Sequence, residues 1–309
     1  MRTFTVGTRG SKLALIQTKK IINALKEAGV NHSIKIKEIA TKGDKAVHIP
    51  LSKMDGGVFL QEIEAELIDG SIDFAVHSLK DIPVELPPDL IIASIPERED
   101  FRDAFLANHH VKLHDLPAGA IVGTSSLRRA AQVLSQRPDL EIKWIRGPID
   151  SRIKQLQHGD FDAIILAVAG MKRLGLGMDL ITEYLPADTF MPAIGQGALA
   201  IECRTDDQEL RDILRLINNQ ESEQTVLTER LFMKQFENGE KAAIAGYATV
   251  ENGEIVLHAT VLSPDGKTVI KHEGRGKTPE EVAQYVADRL KDKGASEIIQ
   301  LTLQEFSRQ

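Results

Sequence analysis

The strongest constraint on this chain is a repeated alternation of short apolar strands with helices, with a capping or turn residue at the junctions. Phe4 and Val6 share one parity, and Thr8-Arg9-Gly10 ends the run. Ser11 is placed to cap a helix that carries Leu15, Thr18, Ile22 and Leu25 at helical spacing, and Gly29 stops it. Ile34 and Ile36 then open a second strand, so the chain begins with a βαβ unit. Residues 60–70 read as helix, with Ile72 to Val76 and Leu90 to Ile95 as strands; Pro83, Pro87 and Pro88 punctuate the connection. The middle repeats the theme. Ala120 to Gly123 is a strand, Thr124-Ser125-Ser126 begins a helix running through Leu134, and Ile142 to Ile145 is a strand. Ser151 to Gln157 is a helix, and Asp162 to Ala167 contains a continuous apolar strand of the parallel-sheet type. Two successive α/β halves of this kind predict two similar lobes.

The last third changes character. Residues 209–237 are helix-rich and charged. Asn252-Gly253 lies between two alternating runs, a hairpin signal, and Ser263-Pro264-Asp265-Gly266 marks a tight turn. Thr278-Pro279-Glu280-Glu281 is a capping box with proline at the first helical position, ahead of Val282, Val286 and Leu290. With the apolar run Ile298 to Leu303, these elements predict a small α+β domain.

A chain of 309 residues has room for two or three such domains. Its net charge of −7 argues against a general binder of nucleic acid or membrane surface. Cys203 is the single cysteine, which excludes an intramolecular disulfide and a Cys-rich metal site; in its apolar run it reads as a buried small hydrophobe. No metal-ligand spacing, nucleophile elbow or phosphate loop occurs. With no signal peptide and no apolar run of membrane length, a cytoplasmic protein is expected.

Within this acidic chain, basic and hydroxyl residues gather at strand-to-helix junctions: Arg9 and Ser11; Thr124, Ser125, Ser126, Arg128 and Arg129; Arg146, Ser151 and Arg152. In a parallel lobe such junctions lie at the carboxyl edge of the sheet, where helix N-termini add a positive dipole end. Arginine's planar fork suits carboxylates. The set predicts a small ligand with several carboxylate or phosphate groups. Asp73 to Asp81 ends a strand on His77, Ser78, Lys80 and Asp81, a combination suited to acid–base work or to stabilising a cation. His77 alone reads as a structural hydrogen-bonding residue.

Five motifs carry a resemblance that runs nearly end to end. They are Gly7-Thr8-Arg9-Gly10-Ser11-Lys12-Leu13-Ala14, Thr41-Lys42-Gly43-Asp44, Val76-His77-Ser78-Leu79-Lys80-Asp81-Ile82-Pro83, Gly123-Thr124-Ser125-Ser126-Leu127-Arg128-Arg129 and Pro192-Ala193-Ile194-Gly195-Gln196-Gly197-Ala198. On them the chain resembles the hydroxymethylbilane synthase (porphobilinogen deaminase) family. The resemblance implies an α/β fold: two periplasmic-binding-protein-like lobes, 1–96 with 197–214 and 102–190, plus a small C-terminal α+β domain, 219–309. It implies a monomeric transferase of tetrapyrrole biosynthesis, on the route to porphyrins and heme. Such an enzyme condenses porphobilinogen into the linear tetrapyrrole hydroxymethylbilane with loss of ammonia.

Asp81 matches the family's catalytic aspartate, and Lys80 beside it is expected to share the catalytic role. Arg9, Ser11, Thr124, Ser125, Arg128, Arg129, Arg146 and Arg152 would hold substrate carboxylates, and Gln196 matches a residue near the hinge between lobes. In the family a cysteine in the loop of the C-terminal domain carries a covalent dipyrromethane primer. The matching position here is Glu240, followed by Lys241-Ala242-Ala243, so no covalent cofactor is expected. The family's Gly-Gly-Lys-Gly-Leu-Phe loop appears as Asp55-Gly56-Gly57-Val58-Phe59, and its Arg-Gly-Asn as Arg146-Gly147-Pro148. The expected activity is therefore pyrrole condensation without a covalent primer. The alternatives are a variant that stops at a shorter pyrrole product and a non-catalytic binder of tetrapyrrole precursors.

Overall fold

The structure, a computed structural model, describes residues 2–45 and 60–307. The Asp55 to Phe59 loop lies outside the described residues. The elements in chain order are β1 (Thr3–Arg9), α1 (Lys12–Glu27), β2 (Ser33–Ile39), α2 (Lys42–Lys45), α3 (Gln61–Ile68), β3 (Phe74–Ser78) and β4 (Leu90–Ser94). Next come β5 (Asp103–Ala107), β6 (Ile121–Gly123), α4 (Leu127–Gln136), β7 (Glu141–Lys143), α5 (Ile149–Gln157), β8 (Ala163–Ala167), α6 (Val168–Arg173) and β9 (Glu183–Leu185). The chain closes with β10 (Leu199–Arg204), α7 (Gln208–Arg215), α8 (Gln220–Lys234), β11 (Ala243–Glu251), β12 (Glu254–Leu262), β13 (Val269–Gly276), α9 (Pro279–Asp292) and α10 (Ala295–Ser307). Of the described residues, 2–45, 60–99 and 197–223 form one compact unit; 100–196 and 224–307 form the other.

Each unit holds a five-stranded sheet of the same plan. The first has order β2-β1-β3-β10-β4 and the second β7-β6-β8-β5-β9. In each, three strands run parallel and the fourth runs against both of its neighbours. The lobes are thus mixed, where the apolar run 162–167 alone suggests a parallel sheet: β8 pairs parallel with β6 and antiparallel with β5. The reversed strands, β5 and β10, start within three residues of where the chain passes from one unit to the other. A strand that enters from outside the βαβ succession carries no crossover constraint on its direction.

Local chemistry explains the helix starts. The Ser11 hydroxyl accepts from the Ala14 N–H at 3.3 Å, Ser126 from Arg129 at 3.4 Å and Thr278 from Glu281 at 3.4 Å. Each cap contributes about 1 kcal/mol. The first unit's core joins α1 (Ile21, Leu25) to the sheet (Phe4, Phe74, Ile201) and to α7 (Leu210, Leu214). Fully burying a side chain of this size contributes about 1.5–3 kcal/mol.

In the second unit the antiparallel sheet β11-β12-β13 meets the lobe through Leu127 and Ala131 of α4 packed on Ala243 and Leu262. The hairpin turn is at Asn252-Gly253, both with positive φ (53° and 79°). Gly266 closes the 263–266 turn at φ 72°, where a Cβ would run into the α4 backbone at Ala131 and Ser135. The run Ile298 to Leu303 is the middle of α10.

Candidate active site

In the first unit, β1 and β3 are parallel neighbours, so their carboxyl ends lie side by side. β1 ends at Arg9, with Ser11 starting α1; β3 ends at Ser78 and passes into a 3-10 turn, Leu79–Asp81. The loops they feed enclose a hollow of about 450 Å³, open solvent included. Arg9, Ser11, Gln17, His77, Ser78 and Asp81 supply its polar walls. The fold therefore gathers Arg9, Ser11 and Asp81, three of the expected site residues. Lys80 stands exposed beside Asp81, which is itself exposed.

The hollow also contains polar groups that the sequence reading passed over. Gln17 is buried and its Nε2 donates to the Ser78 Oγ at 3.0 Å. His77 is buried, with Nε2 3.1 Å from the Oε2 of Glu202 on β10. Glu202 is fully buried. Gln17 lies in α1, three positions after Ala14, and both line the hollow; that i, i+3 spacing was the one available signal. Glu202 lies 125 residues from His77 and has no local signal.

The second unit repeats the placement at β6 and β7. The loop after β6 holds Thr124, whose N–H donates to the Lys143 carbonyl at 2.9 Å and whose Oγ1 accepts from the Ser126 N–H at 3.1 Å. Thr124 is buried and Ser125 half-buried. Arg146 follows β7, and Arg152 lies on α5, where its Nε donates to the Gly147 carbonyl at 2.8 Å. Burial, then repulsion from Arg129 and Arg146, lowers the Arg152 pKa to about 10. Arg129, Arg146 and Arg152 thus form a basic cluster whose positive charges act on one another.

Arg128 and Arg129, expected to face substrate carboxylates, are almost wholly buried and bonded within the unit. Asp103 of β5, with no exposed surface, receives Arg128 Nη1 at 2.8 Å, Arg129 Nη2 at 2.7 Å and Gln196 Nε2 at 2.9 Å. The same side chains also reach carbonyls: Arg128 Nη1 to Met191 at 2.6 Å, Arg129 Nη1 to Ile165 at 2.9 Å and Gln196 Nε2 to Phe101 at 2.8 Å. Burial raises the Asp103 pKa, but the two guanidiniums and their hydrogen bonds overcome it and hold the carboxyl well below the usual carboxylate range. Burial also lowers the Arg128 pKa, with Asp103 opposing.

Gln196 is the last residue of the second unit before the chain crosses at Gly197. Glu229 of α8, fully buried, accepts from the Gly195 N–H at 2.7 Å and the Ala248 N–H at 2.8 Å, and so ties this segment to β11.

Glu240 is exposed in a 3-10 turn, Gly239–Lys241, between α8 and β11. Cys203 lies fully buried in β10, its thiol pushed up to about 12 by burial and then by Asp207. A neutral thiol inside a sheet strand cannot act as a nucleophile toward a pyrrole, and a carboxylate at position 240 cannot form a thioether. The residues present do not fit a thioether-linked dipyrromethane. Among the described residues no cluster of His, Cys, Asp and Glu could hold a metal ion, and no helix is long and apolar enough to cross a membrane.

A family model described as "Porphobilinogen deaminase, dipyromethane cofactor binding domain" matches residues 4–212, and one described as "Porphobilinogen deaminase, C-terminal domain" matches residues 223–292. Three relatives bear the name porphobilinogen deaminase. That from Oceanobacillus iheyensis is 52% identical over 309 residues, covering 100% of both chains. That from a Geobacillus species is 50% identical over 311 residues, with the same coverage. That from Bacillus subtilis is 49% identical, covering 99% of this chain and 98% of its own. With family models over both parts and relatives half-identical from end to end, the chain belongs to the porphobilinogen deaminase family of transferases.

Proposed function

We propose that this chain condenses porphobilinogen into a linear oligopyrrole, hydroxymethylbilane in the family, with release of ammonia and without a covalently attached primer. The observation that carries the reading is the hollow at the ends of β1 and β3, where Arg9, Ser11 and Asp81 line one space. Arg9 and Ser11 hold a substrate carboxylate, through a charge-assisted hydrogen bond and a hydroxyl donor. The aminomethyl carbon of the substrate loses its C–N bond, and ammonia leaves with the electron pair. Positive charge spreads over the azafulvenium that remains, and Asp81, exposed at the rim, supplies the opposing charge. The α-carbon of a second pyrrole forms the new C–C bond, and its proton passes to the departed ammonia by way of Asp81 or water. Lys80 adds a cation for a second carboxylate.

Thr124, Ser125, Arg146 and Arg152, with Arg129 behind them, are suited to the carboxylates of the growing chain. The mutual repulsion that depresses Arg152 is relieved when an anion binds. Arg128 and Arg129 act chiefly by fixing the start of α4 through Asp103. Gln196 holds residue 101 beside the crossing at Gly197.

Incubation of the purified chain with porphobilinogen, reading ammonia and pyrrole products, tests the proposal. Ammonia together with oligopyrroles is expected, and saturable binding without ammonia would replace the enzyme with a binder. Intact-protein mass spectrometry before and after turnover is expected to give the unmodified chain mass. A stable dipyrromethane adduct would end the primer-free reading.

A further inference from the structure

His77 was expected to be a structural histidine, and its surroundings argue for more. It sits on β3 with its ring in the wall of the hollow that holds Arg9, Ser11 and Asp81. Its Nε2 is 3.1 Å from Glu202 Oε2, on the antiparallel neighbour β10, where Ala200 pairs with His77 and Glu202 falls on the same sheet face. Glu202 has no exposed surface, and among the described residues its Oε1 has no hydrogen-bond partner. A lone carboxylate anion in such a place is strongly unfavourable unless an opposite charge is in contact with it. Among the described residues, His77 is the cation-forming group in ion-pair distance of it. Glu64 of α3 adds a further negative influence: burial and then Glu202 raise its pKa, with His77 opposing. Asp81, in the same hollow, acts in the same direction, while Arg9 opposes.

We propose that His77 and Glu202 form a buried imidazolium–carboxylate pair, with the remaining ring donor, Nδ1–H, presented to the hollow to read a carboxylate of the pyrrole substrate. Nε2 is engaged by Glu202, and the ring makes no other hydrogen bond among the described residues. Glu202 is a positioning residue, since it keeps the proton on the ring. The carboxylate-reading half rests on the function proposed above; the protonation half does not.

The test uses the full chain with 15N-labelled histidine. The His77 ring nitrogens are observed by NMR near neutral pH without substrate. Near neutral pH both ring nitrogens are expected to carry a proton in the unmodified chain, and Glu202→Gln is expected to leave the ring with one. A singly protonated ring in the unmodified protein overturns the pair, and needs no variant to fold. So does a doubly protonated ring that Glu202→Gln leaves in place.

Steady-state ammonia release then reads the second half. Glu202→Gln and His77→Gln are each expected to raise KM for porphobilinogen about tenfold near neutral pH, with a smaller change in kcat. Unchanged KM in both variants removes the carboxylate-reading role. If the unmodified chain releases no ammonia, the proposed function fails. The NMR proton count on the ring still decides the pair, and porphobilinogen binding by calorimetry in His77→Gln decides the donor.

Discussion

Asp81, which shares a hollow with Arg9, and Asp103, gripped by Arg128 and Arg129, are acids near arginine, one in each unit, and they do opposite work. Asp81 sits exposed on a 3-10 turn at the rim of a solvent-filled hollow. Asp103 has no contact with solvent and is saturated by Arg128, Arg129 and Gln196. The first is placed where a charge can appear and vanish during a reaction. The second holds two guanidiniums and the β5 strand in one arrangement. An acid beside arginines is therefore not by itself a functional site; the solvent at its surface decides which role it takes.

Removing Asp103 gives the largest effect expected from this contrast. Asp103→Ala leaves two buried guanidiniums uncompensated and should cost about 3–5 kcal/mol of folding stability, read by urea denaturation. A loss below about 1 kcal/mol would mean that water reaches this site and that the two acids are alike. The Asp103 carboxyl is lower in the folded protein than in the unfolded chain. Its contribution is thus fully present above the unfolded value, about pH 4, and is lost as pH falls toward the depressed folded value. In a series of acid titrations of stability, Asp103→Asn should lower stability near neutrality and flatten the profile in that acid range, with the slope near neutrality unchanged.

Asp81→Asn should behave in the reverse way. Ammonia release from porphobilinogen should drop about 100- to 1,000-fold. Folding stability should stay within about 0.5 kcal/mol, as for an exposed substitution. Near-normal turnover would remove Asp81 from the mechanism and with it this side of the comparison.

Arg152 sharpens the contrast inside the second unit. Burial and its like-charged neighbours lower its pKa, so Arg152→Gln should stabilise the ligand-free protein by about 0.5–2 kcal/mol while weakening porphobilinogen turnover. A destabilised variant with intact turnover would make Arg152 a structural residue like Arg128. The smallest effect is local: Ser126→Ala should cost about 1 kcal/mol through the α4 cap, with modest loss of activity.

Much of the scaffold was legible from local pattern. The caps at Ser11, Ser126 and Thr278, the hairpin at Asn252-Gly253 and the strand–helix succession all depend on residues within a few positions of one another. For the same reason Arg9, Ser11 and Asp81 could be anticipated near one sheet edge. The buried pairing of Arg128 was not legible, because its partner Asp103 lies on a strand that the pattern did not reveal. That strand runs against its neighbours, and its five residues are all buried, so it shows no alternation. The reversed strand β10 hid Glu202 in the same manner.

By itself the sequence determined the helix caps, the turns, most of the strand–helix succession and the family, since each rests on residue identity and short spacing. Only the tertiary structure decided which charged groups are spent on one another and which face solvent. A helix-to-strand contact across 25 residues for Asp103 and Arg128, and strand pairing across 125 for His77 and Glu202, set burial, and burial sets what a charge can do.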